Sequence, residues 1–147
     1  MAIEDTYSET MDAGRDGAIG DTGHKVLISR TVEGAAVGFG KPVVQGTADY
    51  GCRAPTTGDT AILGVTIRDR SADGGPVTAD QFPVGHEARV MTAGVTFLTV
   101  AAAVEAGDPI HVVVADGTFV KSGGVAIPNA RYETSGASGA RVKARIG

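Results

Sequence analysis

The chain has 147 residues, no Trp, a single Cys, 22 Gly and a formal net charge of −4. That length fits one domain, which buries roughly 68–70% of its unfolded surface and needs no disulfide or metal to hold it. The apolar set is lopsided, with 18 Val and 8 Ile against 3 Leu, and β-branched side chains lose rotamer freedom in helices, so the composition argues against a helix-dominated fold.

No apolar run approaches the roughly 20 residues needed to span a membrane. The opening MAIEDTYSETMDAG lacks the basic and apolar regions of a secretory signal. Cys52 has no partner for an internal disulfide, which suits a reducing compartment.

The charge is unevenly spread. Residues 1–22 hold Glu4, Asp5, Glu9, Asp12, Asp16 and Asp21 against Arg15 alone, so this stretch carries −5 and the remainder +1. The sequence therefore divides into an acidic, extended N-terminal arm over 1–23 and a single β domain over 24–147. The arm lacks hydrophobic periodicity and cannot bury enough apolar surface to offset its ordering entropy. It reads either as a disordered terminus or as a segment that orders against a partner.

After Gly23 the chain becomes a series of short β-like runs. Lys25–Val32 and Pro42–Gln45 read as strands, the latter following the Gly-rich GAAVGFGK. Residues 48–59 read as a loop. Ala61–Arg68 reads as a strand, with a bulge or close packing expected at Gly64. Residues 71–76 are a turn cluster. Glu87–Thr92 and Val95–Val100 flank Ala93-Gly94, a candidate tight hairpin. Ala101–Ala106 has room for one short helix. Pro109–Ala115 and Thr118–Lys121 flank Asp116-Gly117, the strongest hairpin signal in the chain. Arg131–Thr134 and Ala140–Ile146 complete the set. Strands at this spacing predict an all-β fold, a small β-sandwich or barrel of jelly-roll-like or tulip-like form with at most one short helix. In the last run Arg141, Lys143 and Arg145 share one face and Val142, Ala144 and Ile146 the other. Such a basic face either blunts a sheet edge or binds something.

Catalytic chemistry is sparse. His24, His86 and His111 have no metal-ligand spacing with one another or with Cys52. His111 reads as a half-buried strand residue. His86 and Glu87 point to opposite faces of a strand and do not form a pair. Cys52 has only Arg53 beside it as a source of activation. There is no nucleophile elbow and no P-loop. Residues 12–17, DAGRDG, loosely resemble the first motif of trimeric dUTP pyrophosphatases, but that family's later motifs are missing and the reading is rejected. The nearly neutral body argues against nucleic acid as a partner. Phe97 and Phe119 read as core.

Five stretches carry a more extensive likeness: PVVQGT (42–47), AILGVTIRD (61–69), EARVMTAGVTFLTV (87–100), AVEAGDPIHVVVADGTF (103–119) and IPNARYETSGASGARVKARIG (127–147). In order and texture they resemble the small capsid cement, or decoration, proteins of tailed bacteriophages. The resemblance implies a structural protein without enzyme activity and without a cofactor. It implies binding to the outer surface of the phage head, bridging of major capsid protein subunits, and stabilisation of the expanded capsid against the pressure of packed DNA. It implies assembly as a homodimer or homotrimer, no nucleic-acid or membrane partner, synthesis in the host cytoplasm and a final place on the virion exterior. Glu4, Asp5, Tyr7, Glu9, Asp12, Arg15, Arg141, Lys143 and Arg145 are the expected contacts to the capsid or to neighbouring subunits. A phage tail or baseplate β-sandwich adaptor is the alternative.

Overall fold

The computed structural model describes residues 14–21, 23–69 and 81–147. Among these residues there are eleven strands and no helix: β1 (Val26–Val32), β2 (Val37–Gly38), β3 (Pro42–Gln45), β4 (Gly51–Arg53), β5 (Gly64–Thr66), β6 (Gln81–Phe82), β7 (Glu87–Thr99), β8 (Pro109–Val113), β9 (Thr118–Val120), β10 (Val125–Tyr132) and β11 (Arg141–Ile146). The expected all-β class is observed, and no helix among the described residues is long and apolar enough to cross a membrane.

Nine strands form one sheet in the order β1-β4-β3-β5-β7-β11-β10-β8-β9, and β1 also pairs with β7. That extra pairing closes β1, β4, β3, β5 and the first half of β7 into a ring. The second half of β7 continues into β11, β10, β8 and β9. An isolated bridge from Val100 to Phe119, just past the end of β7, brings β9 back to it. The result is two small barrels that share one 13-residue strand.

The shared strand replaces the hairpin expected at Ala93-Gly94. Glu87–Ala93 pairs with β1, whereas Gly94–Thr99 pairs with β11. At the changeover the register against β1 slips: Val26 faces Ala93 and Leu27 faces Met91, so Thr92 is an extra residue. A bulge of this kind bends the strand and switches which face the following side chains occupy. Gly94 takes the turn with φ of 132°, a conformation open chiefly to glycine.

Two cores follow from this layout. One gathers Val32, Val37, Phe39, Val43, Cys52, Phe82, Ala88 and Val90. The other contains Met91, Leu98, Ile110, Val112, Phe119, Tyr132, Val142, Ala144 and Ile146, and continues onto Val65 and Ile67. Val90 and Met91 are neighbours in sequence yet feed opposite cores, as strand alternation requires. The Tyr132 hydroxyl enters the second core by donating to the Val120 carbonyl at 2.8 Å.

Three further expectations need correction. The segment 48–59 holds a strand, because β4 pairs in parallel with β1 and antiparallel with β3. The short helix at Ala101–Ala106 does not form. Instead Val104 exchanges backbone hydrogen bonds with Gly136, at 2.9 and 3.0 Å. Phe97 is half-buried on the outer side of β7, outside both cores, whereas Phe119 is core as expected.

Candidate functional site

The most distinctive surface lies where the N-terminal segment meets the two barrels. Residues 14–20 run along the outer side of β7. Gly17 donates its N–H to the Phe97 carbonyl at 3.0 Å, Phe97 donates to Ala18 at 3.1 Å, and Gly20 donates to Val95 at 2.8 Å. The Thr96 hydroxyl donates to the Ala18 carbonyl at 2.9 Å. On its other side Gly17 accepts from the Arg68 N–H at 2.8 Å. The segment thus ties the second half of β7 to the chain leaving β5.

Two glycines make this crossing possible. Gly17 and Gly40 have φ of 75° and 66°. A Cβ on Gly17 would lie 2.7 Å from the Gly40 nitrogen, and one on Gly40 would lie 2.6 Å from the Gly17 nitrogen. Neither position has room for a side chain. A Cβ on Gly14 would fall 2.8 Å from the Phe97 ring. The glycines of DAGRDG therefore serve close backbone packing, which accounts for the motif without any nucleotide chemistry.

Beside the crossing is a cleft of about 720 Å³ lined by Arg15, Asp16, Ala36, Gly38, Phe39, Lys41, Arg68, Gln81 and Arg141. Thr66 shapes its wall. This residue is fully buried. Its hydroxyl donates to the Gly38 carbonyl at 2.7 Å and accepts from the Lys41 N–H at 3.0 Å. The Arg68 guanidinium stacks over the Phe39 ring, 5.0 Å from its centre. Arg141 Nε bonds Asp16 Oδ1 at 3.0 Å and its Nη1 bonds the Gly14 carbonyl at 2.7 Å. Asp16 also accepts from the Thr99 hydroxyl at 2.8 Å. Among the described lining residues, four side chains are cationic and the one carboxylate, Asp16, is paired with Arg141.

Of the expected contact residues, Glu4, Asp5, Tyr7, Glu9 and Asp12 lie outside the described residues. Arg15 and Arg141 meet in the cleft. Lys143 and Arg145 continue along β11 away from it. Lys143 Nζ sits 5.9 Å from the centre of the Phe97 ring, and Arg145 Nε pairs with Glu133 Oε1 at 2.6 Å. Sequence reading passed over Lys41 and Arg68. They lie 27 positions apart in the sequence, and the antiparallel pairing of β3 with β5 brings them to one wall.

Nothing described has the makings of a reaction centre. No group of three or more His, Cys, Asp or Glu side chains converges to hold a metal ion among the described residues. Cys52 is fully buried, and burial first, then the nearby Glu33 carboxylate, pushes its thiol pKa upward, away from the reactive thiolate. His111 Nδ1 lies 2.9 Å from the Gly123 carbonyl. The perturbed carboxylates are loop fasteners. Glu33 accepts from the Ala48 N–H first and from the Thr47 N–H second, and these bonds hold its pKa below the usual range. Asp59 takes a two-pronged bond from Arg53, 2.8 Å on each arm, and the Thr56 N–H at 2.7 Å, and its carboxyl is held well below the usual range.

Comparison with known proteins supplies the rest. No curated protein matches the chain. In fold it is similar to a chain from "The capsid of Myoviridae Phage XM1", with a TM-score of 0.73 and 16% identity, covering 100% of this chain and 98% of that one. It is also similar to the head fibre gp8.5 N base of bacteriophage phi29, with a TM-score of 0.54 and 13% identity over 84% of this chain and 95% of that one. The model of the Phage_cement family, described as "Structural cement protein (E217 gp24/Pam3 gp6)", matches residues 3–147. With only Met1 and Ala2 outside the match, the chain belongs to this family of phage structural cement proteins.

Proposed function

We propose that the protein coats the outer surface of a phage head and bridges neighbouring major capsid protein subunits, holding the expanded shell against the pressure of packed DNA. The family match over residues 3–147 is the observation that carries this reading. A fold likeness to a chain from a phage capsid supports it. Glu4, Asp5, Tyr7, Glu9 and Asp12 of the arm, with Arg15, Arg141, Lys143 and Arg145, supply contacts to the shell or to neighbouring copies. The protein works as a homodimer or homotrimer, without a catalytic step and without nucleic acid or membrane as partner.

The physical basis is mass action. A protein that binds only the assembled, expanded shell lowers the free energy of that state by its binding free energy. Contacts to two subunits at once raise the effective concentration of the second contact without any new contact type. Two barrels built on one continuous strand suit this task, because load applied to one is transmitted through backbone to the other.

Co-sedimentation with expanded, undecorated heads tests the reading. The protein is expected to pellet with heads up to a fixed ratio, and removing residues 1–13 is expected to weaken binding while the barrels stay folded. Absence from the pellet at saturating concentration would overturn it.

A further inference from the structure

We propose that the tip of the first barrel, built on Arg30, Asp49 and Tyr50, is a self-complementary surface that pairs with the same tip of a second copy across a two-fold axis. This inference rests on the reading of the protein as a homo-oligomer. It adds the surface and the symmetry, and it does not depend on what the assembly binds.

The argument begins with a fastened loop. Residues 46–50 join β3 to β4. Glu33 accepts the Thr47 and Ala48 N–H groups at 2.6 and 3.0 Å. The Gln45 side-chain amide donates to the Ala48 and Asp49 carbonyls at 2.9 and 3.0 Å. The Thr31 N–H donates to the Tyr50 carbonyl at 2.8 Å. This frame holds out Tyr50, 73% exposed and the most exposed large hydrophobic side chain among the described residues. On the other flank of β1, a turn tied to Val32 through Gly85 and His86 holds out Val84, which is half exposed. Apolar groups presented on a fixed backbone cost little further ordering when a partner covers them. Tyr is also among the residues that carry most of the energy at protein contacts.

Charge selects the occupant. The Arg30 guanidinium lies over the Tyr50 ring, 5.5 Å from its centre. The side chain is half-buried. Its Nη1 donates to the Ser29 carbonyl at 3.2 Å, and its buried Nε has no protein partner among the described residues. No carboxylate pairs with it there. Keeping a half-buried cation without a carboxylate is costly. Asp49, next to Tyr50 in the loop, is exposed, and its carboxylate bonds none of the described groups. The folded chain thus holds both members of an ion pair beside one aromatic ring and leaves them apart. A two-fold axis through the tip satisfies both at once. Arg30 of each copy meets Asp49 of the other, and the two Tyr50 rings close the centre. Such a contact requires a patch that matches itself, in which one residue meets a second and the second meets the first. An unrelated partner has to bring an acid for Arg30 and a base for Asp49, whereas a second copy brings both.

Sedimentation velocity of the full-length chain, without heads and over a range of concentrations, tests this by charge exchange. The unaltered chain is expected to run as a dimer. Arg30→Asp and Asp49→Arg are each expected to run as monomers, because each sets like charges together across the axis. Mixed in equal amounts, the two variants are expected to recover the dimer, since opposite charges then face each other between chains. Tyr50→Ala is expected to weaken self-association at least about tenfold, the scale of a truncated contact residue. Circular dichroism checks the fold of each variant. Should Arg30→Asp fail to fold, Asp49→Arg and Tyr50→Ala, both at exposed sites, decide the matter. A dimer unmoved by those two variants would overturn this surface and leave the homo-oligomer reading standing. A trimer would do the same. Recovery in a chain carrying both charge exchanges, but not in the mixture, would assign the pair to one chain and overturn the proposal. A monomeric unaltered chain would overturn this surface and the homo-oligomer reading together. Because no heads are present, head binding stands or falls separately.

Discussion

The two barrels share β7 but are closed in different ways. The first ring closes by ladder, since β1 pairs with β7 over six registered residue pairs. The second comes back to β7 through the single Val100–Phe119 bridge and relies on packing, with its core built around Leu98, Ile110, Phe119 and Tyr132. The first has the smaller core and keeps its long connections in place with polar fasteners at Glu33, Asp59 and Thr66. The two halves thus differ chiefly in how they close and in the size of their cores. The cleft lies at the seam, lined by Lys41 beside β3, Arg68 just past β5 and Arg141 on β11.

This contrast can be broken by substitution. Leu98 is fully buried in the second core, and Leu98→Ala is expected to cost about 2–5 kcal/mol through lost burial and the cavity left behind. Denaturant unfolding measures this. A single transition for the variant would mean that β7 couples the barrels into one cooperative unit, whereas two transitions would mean that they melt separately. Thr66→Val keeps the shape but leaves the buried Gly38 carbonyl and Lys41 N–H without their partner, and about 1–3 kcal/mol is expected to be lost. The same denaturant series measures this loss.

Acid sharpens the same contrast. The carboxyl pKa values of Glu33 and Asp59 are lowered in the folded protein. A carboxylate whose folded pKa is depressed contributes stability above its unfolded pKa, near 4, and that contribution is lost as pH falls through the folded value. Amide exchange across residues 46–59 is therefore expected to quicken below about pH 4 relative to exchange in β11. Glu33→Gln is expected to quicken exchange at Thr47 and Ala48 already at neutral pH. Unchanged exchange in that variant would remove Glu33 as a fastener. The smallest effect belongs to Arg145. Its pair with Glu133 is half exposed, so Arg145→Ala is expected to cost less than about 1 kcal/mol, measured in the same denaturant series.

Local signals in the sequence were reliable where the backbone decides alone. Pro42–Gln45 is a strand with the expected ends, and Asp116-Gly117 turns β8 into β9, with Gly117 at φ 70°. They misled where a long-range partner decides. Ala93-Gly94 has hairpin residues, yet β1 and β11 capture the chain on either side and leave a bulge. Ala101–Ala106 has helix formers, yet Gly136 claims Val104. The two-residue strands β2 and β6 carry no pattern of their own and exist only because they meet. For the site, the alternation of Arg141, Lys143 and Arg145 was legible, but their division was not. Arg141 faces the cleft because the N-terminal root lies against it, whereas Arg145 is drawn to Glu133. Lys41 and Arg68 became neighbours only through sheet register, which no local pattern in the chain announces.

The central claim is that this protein spans neighbouring subunits on the outside of a phage head. A cryo-electron microscopy reconstruction of expanded heads saturated with the purified protein tests it most directly. Density for both barrels on the outer surface, each copy touching at least two capsid subunits, is the predicted result. Bare heads, or density confined to the tail, would contradict it.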